Sequence, residues 1–133
     1  MAGGTQEKRR TVDVLVVDDD PQNLAVMRQI LAPHYKLIFA TNGEDALVAA
    51  KKFSLNLVLL DLNLPDMSGY DVCELLQKDP ATENVPVIFV TTAVEVRKEF
   101  RAFAVGAVDY IVKPVFPEVV LARVNAHIQL VRT

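Results

Sequence analysis

Hydrophobic residues along this chain alternate between short, β-branched runs and longer stretches in which they recur every three to four positions. The short runs predict five strands, near Asp13–Val17, Lys36–Phe39, Leu57–Leu60, Val87–Val90 and Tyr110–Val112. The longer stretches predict five helices, near Pro21–Leu31, Glu44–Lys52, Gly69–Gln77, Val94–Val105 and Pro117–Val131. This alternation indicates one open parallel sheet covered by helices on both faces.

Residues at the element boundaries support these limits. Pro21 suits the first turn of a helix, where its missing N–H leaves no hydrogen bond unmade. Asn42 offers a capped start for the second helix, and Gly106 is expected to end the fourth. Pro80 and Pro86 bracket a polar stretch that we expect to be a surface loop.

Two of the predicted strands end abruptly in acidic residues. The run Leu57–Leu60 stops at Asp61, and the run Val14–Val17 stops at the triplet Asp18–Asp20. Because the carboxyl ends of parallel strands lie along one edge of a sheet, these carboxylates can meet at a single point. Clustered carboxylates repel one another unless a cation joins them, and a set of hard oxygen ligands suits Mg²⁺.

The ends of the fourth and fifth strands add two polar groups at the same edge. Thr91 offers a hydroxyl and Lys113 an ammonium. A hydrogen-bond donor and a positive charge beside an acidic metal site form a pocket suited to a phosphoryl group. The sequence therefore predicts phosphoryl chemistry centred on Asp61.

Four blocks of sequence carry these side chains, in an order and separation that extend over nearly the whole chain. They are Val17–Pro21, Asp61–Gly69, Val90–Thr92 and Gly106–Pro114. Together they resemble the receiver domain of two-component response regulators, of the CheY-like superfamily. The resemblance implies an α/β fold with three layers, a doubly wound (βα)5 arrangement of the flavodoxin-like type. Its five parallel strands would lie in the order 2-1-3-4-5.

The resemblance also implies a role for each site residue. Asp61 would be the phosphoacceptor for a histidine kinase, with Lys113 and Thr91 acting on the phosphoryl group. The metal ligands of Mg²⁺ would be Asp19 directly, Asp18 mainly through water, Asp61, and the backbone carbonyl of Asn63.

A switch is implied as well. Lys113 would pair with Asp61 before phosphorylation and with the phosphate afterwards, and the Lys113–Pro114 bond is commonly cis in this family. Thr91 would turn its hydroxyl toward the phosphate, and Tyr110 would rotate inward into the space that Thr91 leaves.

Each assignment has a simpler alternative. The acids at 18–20 could only cap the helix that begins at Pro21, and Thr91 could be an ordinary strand residue. Lys113 could be solvated, and Tyr110 could pack half-buried without moving.

Composition narrows the class of protein. The 133 residues and a hydrophobic content of 51% suit one domain with a substantial core. No apolar run approaches the roughly 20 residues that cross a bilayer, and residues 1–10 form no apolar signal region, so we expect a cytoplasmic protein without membrane contact. The net charge of −3 argues against direct nucleic-acid binding by this domain. Cys73, the single cysteine, is expected to fill a core position on a helix.

The resemblance also implies protein partners for this chain. A sensor histidine kinase or phosphotransfer protein would supply the phosphoryl group, and an output domain would respond. We expect residues 1–11 to form a mobile tail and residues 12–133 to be the receiver domain of a longer, multidomain regulator.

The resemblance also implies a signalling surface, formed by the fourth helix, fifth strand and fifth helix. In that region Glu95–Phe103 predicts a helix with one basic and one apolar face. Asp109 and Arg123 match positions that pair across some phosphorylation-dependent homodimers of the family.

Three rival functions are weaker. A haloacid-dehalogenase-like phosphatase needs a second aspartate two positions after the nucleophile, where this chain has Asn63. A flavodoxin-like module for a small ligand would have a neutral loop after the first strand, where this chain has three acids. A degenerate receiver that works unphosphorylated would not need all five pocket residues. We therefore expect no enzymatic turnover beyond self-phosphorylation and self-dephosphorylation.

Overall fold

One parallel sheet of five strands forms the centre of the molecule. The computed structural model describes residues 13–98 and 105–132. The strands are β1 Asp13–Val17, β2 Lys36–Ala40, β3 Leu57–Asp61, β4 Val87–Thr92 and β5 Asp109–Lys113. They lie in the order β2-β1-β3-β4-β5, which confirms the expected topology.

Helices cover both faces of this sheet. They are α1 Pro21–Leu31, α2 Gly43–Lys52, α3 Gly69–Lys78, α4 Ala93–Lys98 and α5 Pro117–Arg132. The fourth helix was predicted to continue to Val105, but Val105 lies in a turn with Gly106, whose φ of 100° is accessible chiefly to glycine. The side chains expected to give this helix its basic and apolar faces fall outside the described part of the chain: Arg97, Lys98, Phe100, Arg101 and Phe103. None of the helices in the described ranges is long and apolar enough to cross a membrane.

Two hydrophobic layers flank the sheet, because successive side chains of each strand point to opposite faces. Leu15 and Val17 of β1 pack with α2 and α3, whereas Val14 and Val16 pack with α1 and α5. Both faces of the central strands are therefore buried, and this explains their uninterrupted hydrophobic runs. Cys73 lies fully buried in the first of these layers, and burial raises the pKa of its thiol to about 12.

Side-chain caps begin three of the helices. Asp20 accepts a hydrogen bond from the N–H of Gln22, Asn42 from that of Asp45, and Ser68 from that of Tyr70. The polar stretch between Pro80 and Pro86 forms turns at the surface, as predicted, with one exception. Thr82 is buried there, and its hydroxyl donates to the Leu76 carbonyl at the end of α3.

Candidate phosphoacceptor site

Four strands bring the predicted polar side chains to the carboxyl edge of the sheet. Asp61 is the last residue of β3, Asp18 directly follows β1, and Lys113 is the last residue of β5. Thr91 lies one residue before the end of β4. Parallel pairing of β3 with β4 and of β4 with β5 aligns these ends, so that residues distant in sequence face one cleft.

Asp61 is nearly enclosed, with 6% of its surface exposed. Its Oδ2 accepts a hydrogen bond from Lys113 Nζ at 3.1 Å, and its Oδ1 accepts one from the N–H of Asn63 at 3.2 Å. Burial raises the pKa of Asp61, because the charged form loses its hydration, and the two hydrogen bonds offset only part of that effect. An additional positive charge nearby would therefore stabilise the ionised form of Asp61.

Lys113 joins two carboxylates rather than one. Its Nζ lies 3.4 Å from Asp18 Oδ2 and 3.1 Å from Asp61 Oδ2. Burial alone would lower the pKa of Lys113, but the charges of Asp61 and Asp18 outweigh it and raise the pKa above its usual value. Lys113 therefore stays protonated in this site. The peptide bond to Pro114 is cis, as the resemblance implied.

Asp18 is held by further hydrogen bonds. Its Oδ1 accepts from the N–H of Asp20 at 2.9 Å, and its Oδ2 accepts from Asn23 Nδ2 at 3.1 Å. Sequence reasoning did not identify Asn23. The sequence signal for it was a polar residue in the first turn of α1, directly after the acidic triplet.

Three carboxylates can share one cation. One oxygen from each of Asp18, Asp19 and Asp61 lies within 4.8 Å of the others, and Asp19 is exposed. Such an all-oxygen set, open on one side, fits a Mg²⁺ ion that retains several waters. Asp20 stands outside this set, because its carboxylate caps α1.

Thr91 places a hydroxyl group at the same edge of the sheet. Its hydroxyl oxygen is buried and has no hydrogen-bond partner among the described residues. A buried hydroxyl without a partner is unfavourable unless a ligand or water satisfies it. Tyr110, expected to move with Thr91, is half-buried beside the hydrophobic layer of α2 and α3.

The loop after Asp61 returns closely on itself. The N–H of Gly69 donates to the Leu62 carbonyl at 2.8 Å, and Asn63 and Ser68 form an antiparallel bridge. Farther out, the Asp66 carboxylate accepts hydrogen bonds from the first two N–H groups of α2. Sequence reasoning missed Asp66, because its partners lie 22 and 23 residues away and leave no local pattern.

A cavity of about 250 Å³ adjoins the site on the side of α1. Its polar lining residues are Asp18, Asn23 and Lys113, and its apolar ones include Val26 and Val115. A protein docked over α1 would therefore lie next to the lysine that contacts Asp61.

Asp109 and Arg123 pair within the chain. Arg123 Nη1 lies 3.1 Å from both carboxylate oxygens of Asp109, and His127 Nε2 lies 3.0 Å from Oδ2. Burial opposes ionisation of Asp109, but its hydrogen bonds from His127, the Tyr110 N–H and Arg123 outweigh it and hold its pKa below the usual value. This cluster joins the start of β5 to the middle of α5.

From β1 the chain adds β2 on one side of the sheet and β3, β4 and β5 on the other, so the direction of addition changes between β1 and β3. Asp18 and Asp61 lie at the carboxyl ends of these two strands. A site at that point is typical of flavodoxin-like α/β domains, and this chain is one of that class. Within it, the chain belongs to the response regulator receiver domain family, whose model matches residues 14–125. Domains of this family have regulatory roles.

Known relatives differ in how much sequence they contain beyond the part that matches this chain. A probable cyclic di-GMP phosphodiesterase of Vibrio cholerae is 42% identical, over 87% of this chain and 26% of that protein. The protein PilH of Pseudomonas aeruginosa is 33% identical, over 85% of this chain and 94% of PilH. The chain spans less than half the length of the first curated relatives that it matches. A solved putative response regulator from Chloroflexus aurantiacus has a TM-score of 0.84 at 28% identity, over 90% of this chain and 98% of that one.

Proposed function

We propose that this domain is a phosphorylation-controlled switch in which Asp61 accepts a phosphoryl group from a sensor histidine kinase or phosphotransfer protein. The observation that carries the proposal is the 3.1 Å contact between Lys113 and Asp61 inside a cluster of three carboxylates. An ammonium and a cation site next to one carboxylate can neutralise the phosphoryl oxygens during transfer. The proposed cellular location is the cytoplasm, where such a donor would act.

The chemistry is a displacement at phosphorus. A carboxylate oxygen of Asp61 attacks, the P–N bond of the phosphohistidine breaks, and the imidazole leaves with the bonding electrons and takes up a proton. The Asn63 N–H fixes one oxygen of Asp61, and Lys113 transfers its contact to a phosphoryl oxygen. The Thr91 hydroxyl, which has no partner among the described residues, donates to another.

Asp18, Asp19, Asp61 and the backbone carbonyl of Asn63 are the proposed holders of Mg²⁺. When bound, this ion would offset the negative charge that gathers around the phosphoryl group.

Mg²⁺ is expected to stabilise the folded chain. At a concentration 100 times the dissociation constant, the gain in the free energy of unfolding is about 2.7 kcal/mol. Asp19→Asn should show a much smaller gain, because it removes a charged ligand while the exposed position tolerates the amide. Urea unfolding followed by circular dichroism, in MgCl₂ and in EDTA, measures both.

Asp20→Asn is the matched control for that experiment, since it removes a neighbouring charge and asparagine caps a helix equally well. It should keep the wild-type response to Mg²⁺. An equal gain in wild type and Asp19→Asn would count against Asp19 as a ligand.

The proposed output is a changed surface on α4, β5 and α5. Thr91 moves toward the phosphate, and Tyr110 rotates into the space that it leaves. Side chains already exposed in this region include the apolar residues Val108, Val112 and Val119. Burying them against a second copy of the chain would favour a homodimer.

Beryllofluoride, a phosphate mimic, is expected to shift the sedimentation of the chain from monomer to dimer. Arg123→Ala should weaken this shift, because we propose that Arg123 exchanges its partner in the same chain for Asp109 of the second copy. Asp61→Asn, which lacks the carboxylate that holds the mimic, is the control without a shift. Unchanged sedimentation of wild type on addition of beryllofluoride would exclude the dimer.

We further propose that residues 12–133 act as the receiver of a longer, multidomain regulator; the tail expected at residues 1–11 lies outside the described residues. The support is the share of the first curated relatives that this chain spans, which is 26% and 46% for the first two. Any contact with nucleic acid would then belong to an output domain rather than to this domain.

A further inference from the structure

The loop between β3 and α3 is fixed to the start of α2 through Asp66. Asp66 Oδ1 accepts a hydrogen bond from the Gly43 N–H at 2.8 Å, and Oδ2 accepts one from the Glu44 N–H at 2.9 Å. These two donors hold the pKa of Asp66 below its usual value. The carboxylate is therefore ionised at neutral pH, and both hydrogen bonds are charge-assisted.

Helix α2 has a cap of its own in addition to Asp66. Asn42 Oδ1 accepts from the Asp45 N–H at 2.7 Å, and Asn42 Nδ2 donates to Asp45 Oδ2 at 3.0 Å. The local cap and Asp66 thus satisfy different N–H groups of the same first turn. Of these two caps, Asp66 is the one that also connects the helix to the phosphoacceptor loop.

The loop is restrained at its base and at its tip. At the base, the Gly69 N–H bonds to Leu62, and Asn63 bridges to Ser68. Near the tip, Met67 packs so closely on α2 that a Cβ at Gly43 would lie 2.4 Å from Met67 Cγ. Asn63 lies between Asp61 and this tip, and its N–H donates to Asp61 Oδ1.

We propose that Asp66 is a positioning residue for the phosphoacceptor site: by joining the loop to α2, it fixes the backbone of Asn63. This inference rests on the proposed function, in which the Asn63 carbonyl is a metal ligand. Without Asp66 the loop tip loses both hydrogen bonds to α2, and the Asn63 backbone samples more orientations. Metal affinity then falls although every ligand is still present.

Direct binding of Mn²⁺, used as a paramagnetic probe without any phosphodonor, tests the inference. Electron paramagnetic resonance of free Mn²⁺ is expected to show binding about tenfold weaker in Asp66→Ala than in wild type. Asn42→Ala is the matched control, because it removes a cap from the same turn of α2 but no contact to the loop. It should bind Mn²⁺ as wild type does.

Asp66→Asn keeps one acceptor oxygen and should give an intermediate affinity, and it serves as the test variant if Asp66→Ala does not fold. Amide NMR spectra provide a second measurement. The Asn63 resonance should shift or broaden in Asp66→Ala and remain in place in Asn42→Ala.

Wild-type Mn²⁺ affinity in Asp66→Ala, or an equal loss in Asp66→Ala and Asn42→Ala, would overturn the inference, because Asp66 would then act only as a helix cap. Failure of the proposed function would be recognised separately. In that case wild type itself would take up no phosphoryl group on Asp61, or would bind no Mn²⁺.

Discussion

Asp61→Asn is expected to abolish covalent phosphorylation. After incubation with acetyl phosphate and Mg²⁺, intact wild type should gain the mass of one phosphoryl group, and the variant should gain none. The reason is chemical, since an acyl phosphate forms only through a carboxylate oxygen, and a neutral amide is not a comparable nucleophile. Mass spectrometry of both proteins after the same incubation measures the result.

The fold should survive this substitution. An asparagine at position 61 keeps one acceptor oxygen, which can still accept the hydrogen bond from the Asn63 N–H, whereas its NH₂ group cannot accept the one that Lys113 now donates. Burial disfavours the charged form of Asp61, so a neutral group of the same shape removes an unfavourable charge. Lys113 also retains Asp18 as a partner at 3.4 Å. Urea unfolding should therefore show no loss of stability in the variant.

Asp20→Asn is the control for specificity, because it changes a nearby aspartate whose carboxylate is used as a helix cap. It should take up the phosphoryl group like wild type. An equal mass gain in Asp61→Asn and wild type would rule out Asp61 as the acceptor and leave the proposed function without its central residue.

Gly69→Ala should cause a large loss of stability, with a free energy of unfolding lower by about 3 kcal/mol. A Cβ at Gly69 would lie 2.4 Å from the Asp61 carbonyl oxygen and 2.8 Å from Leu62 Cα. Both atoms belong to the backbone, so relief requires movement of the strand end that carries Asp61. The rate of phosphorylation by acetyl phosphate should fall as well, because the nucleophile moves with its backbone.

Gly43→Ala provides the comparison for this steric argument. Gly43 and Gly69 are both buried first residues of helices, and neither has a positive φ. The Cβ at Gly43 would meet the flexible Met67 side chain, which can rotate away. We expect a loss of about 1 kcal/mol or less in urea unfolding. If Gly69→Ala proves as stable as Gly43→Ala, the close backbone contact does not determine the shape of this loop.

Most of the secondary structure was predictable because it depends on local patterning and capping. Strand β1 and helix α1 occur at the predicted residues, since the hydrophobic run stops at Val17 and is followed by Asp20 and Pro21, which favour a helix start. Strand β4 extends beyond its prediction. Thr91 and Thr92 remain extended because they pair with Val112 and Lys113 of β5, and this pairing has no signal within β4 itself.

The strand order came from the resemblance to a family, because hydrophobic patterning does not specify which strands are neighbours. Within the site, patterning likewise did not predict the roles of Asn23 and Asp66. Each is a single polar residue whose role depends on a hydrogen-bond partner on another element or loop. Arg123 is a related case, since its matched position in the family suggested a partner in a second chain, whereas here it contacts Asp109 of its own chain.

By itself, the sequence determined the succession of strands and helices, the parallel class of the sheet and the presence of acids at two strand ends. Only the tertiary structure decided which groups meet: Lys113 with both Asp61 and Asp18, and Asp66 with the start of α2. The physical reason is that patterning records whether a residue is buried and how its own backbone is hydrogen-bonded. A contact between distant residues depends on the positions of two elements at once, and those positions are set by the packing of the whole sheet and its helices.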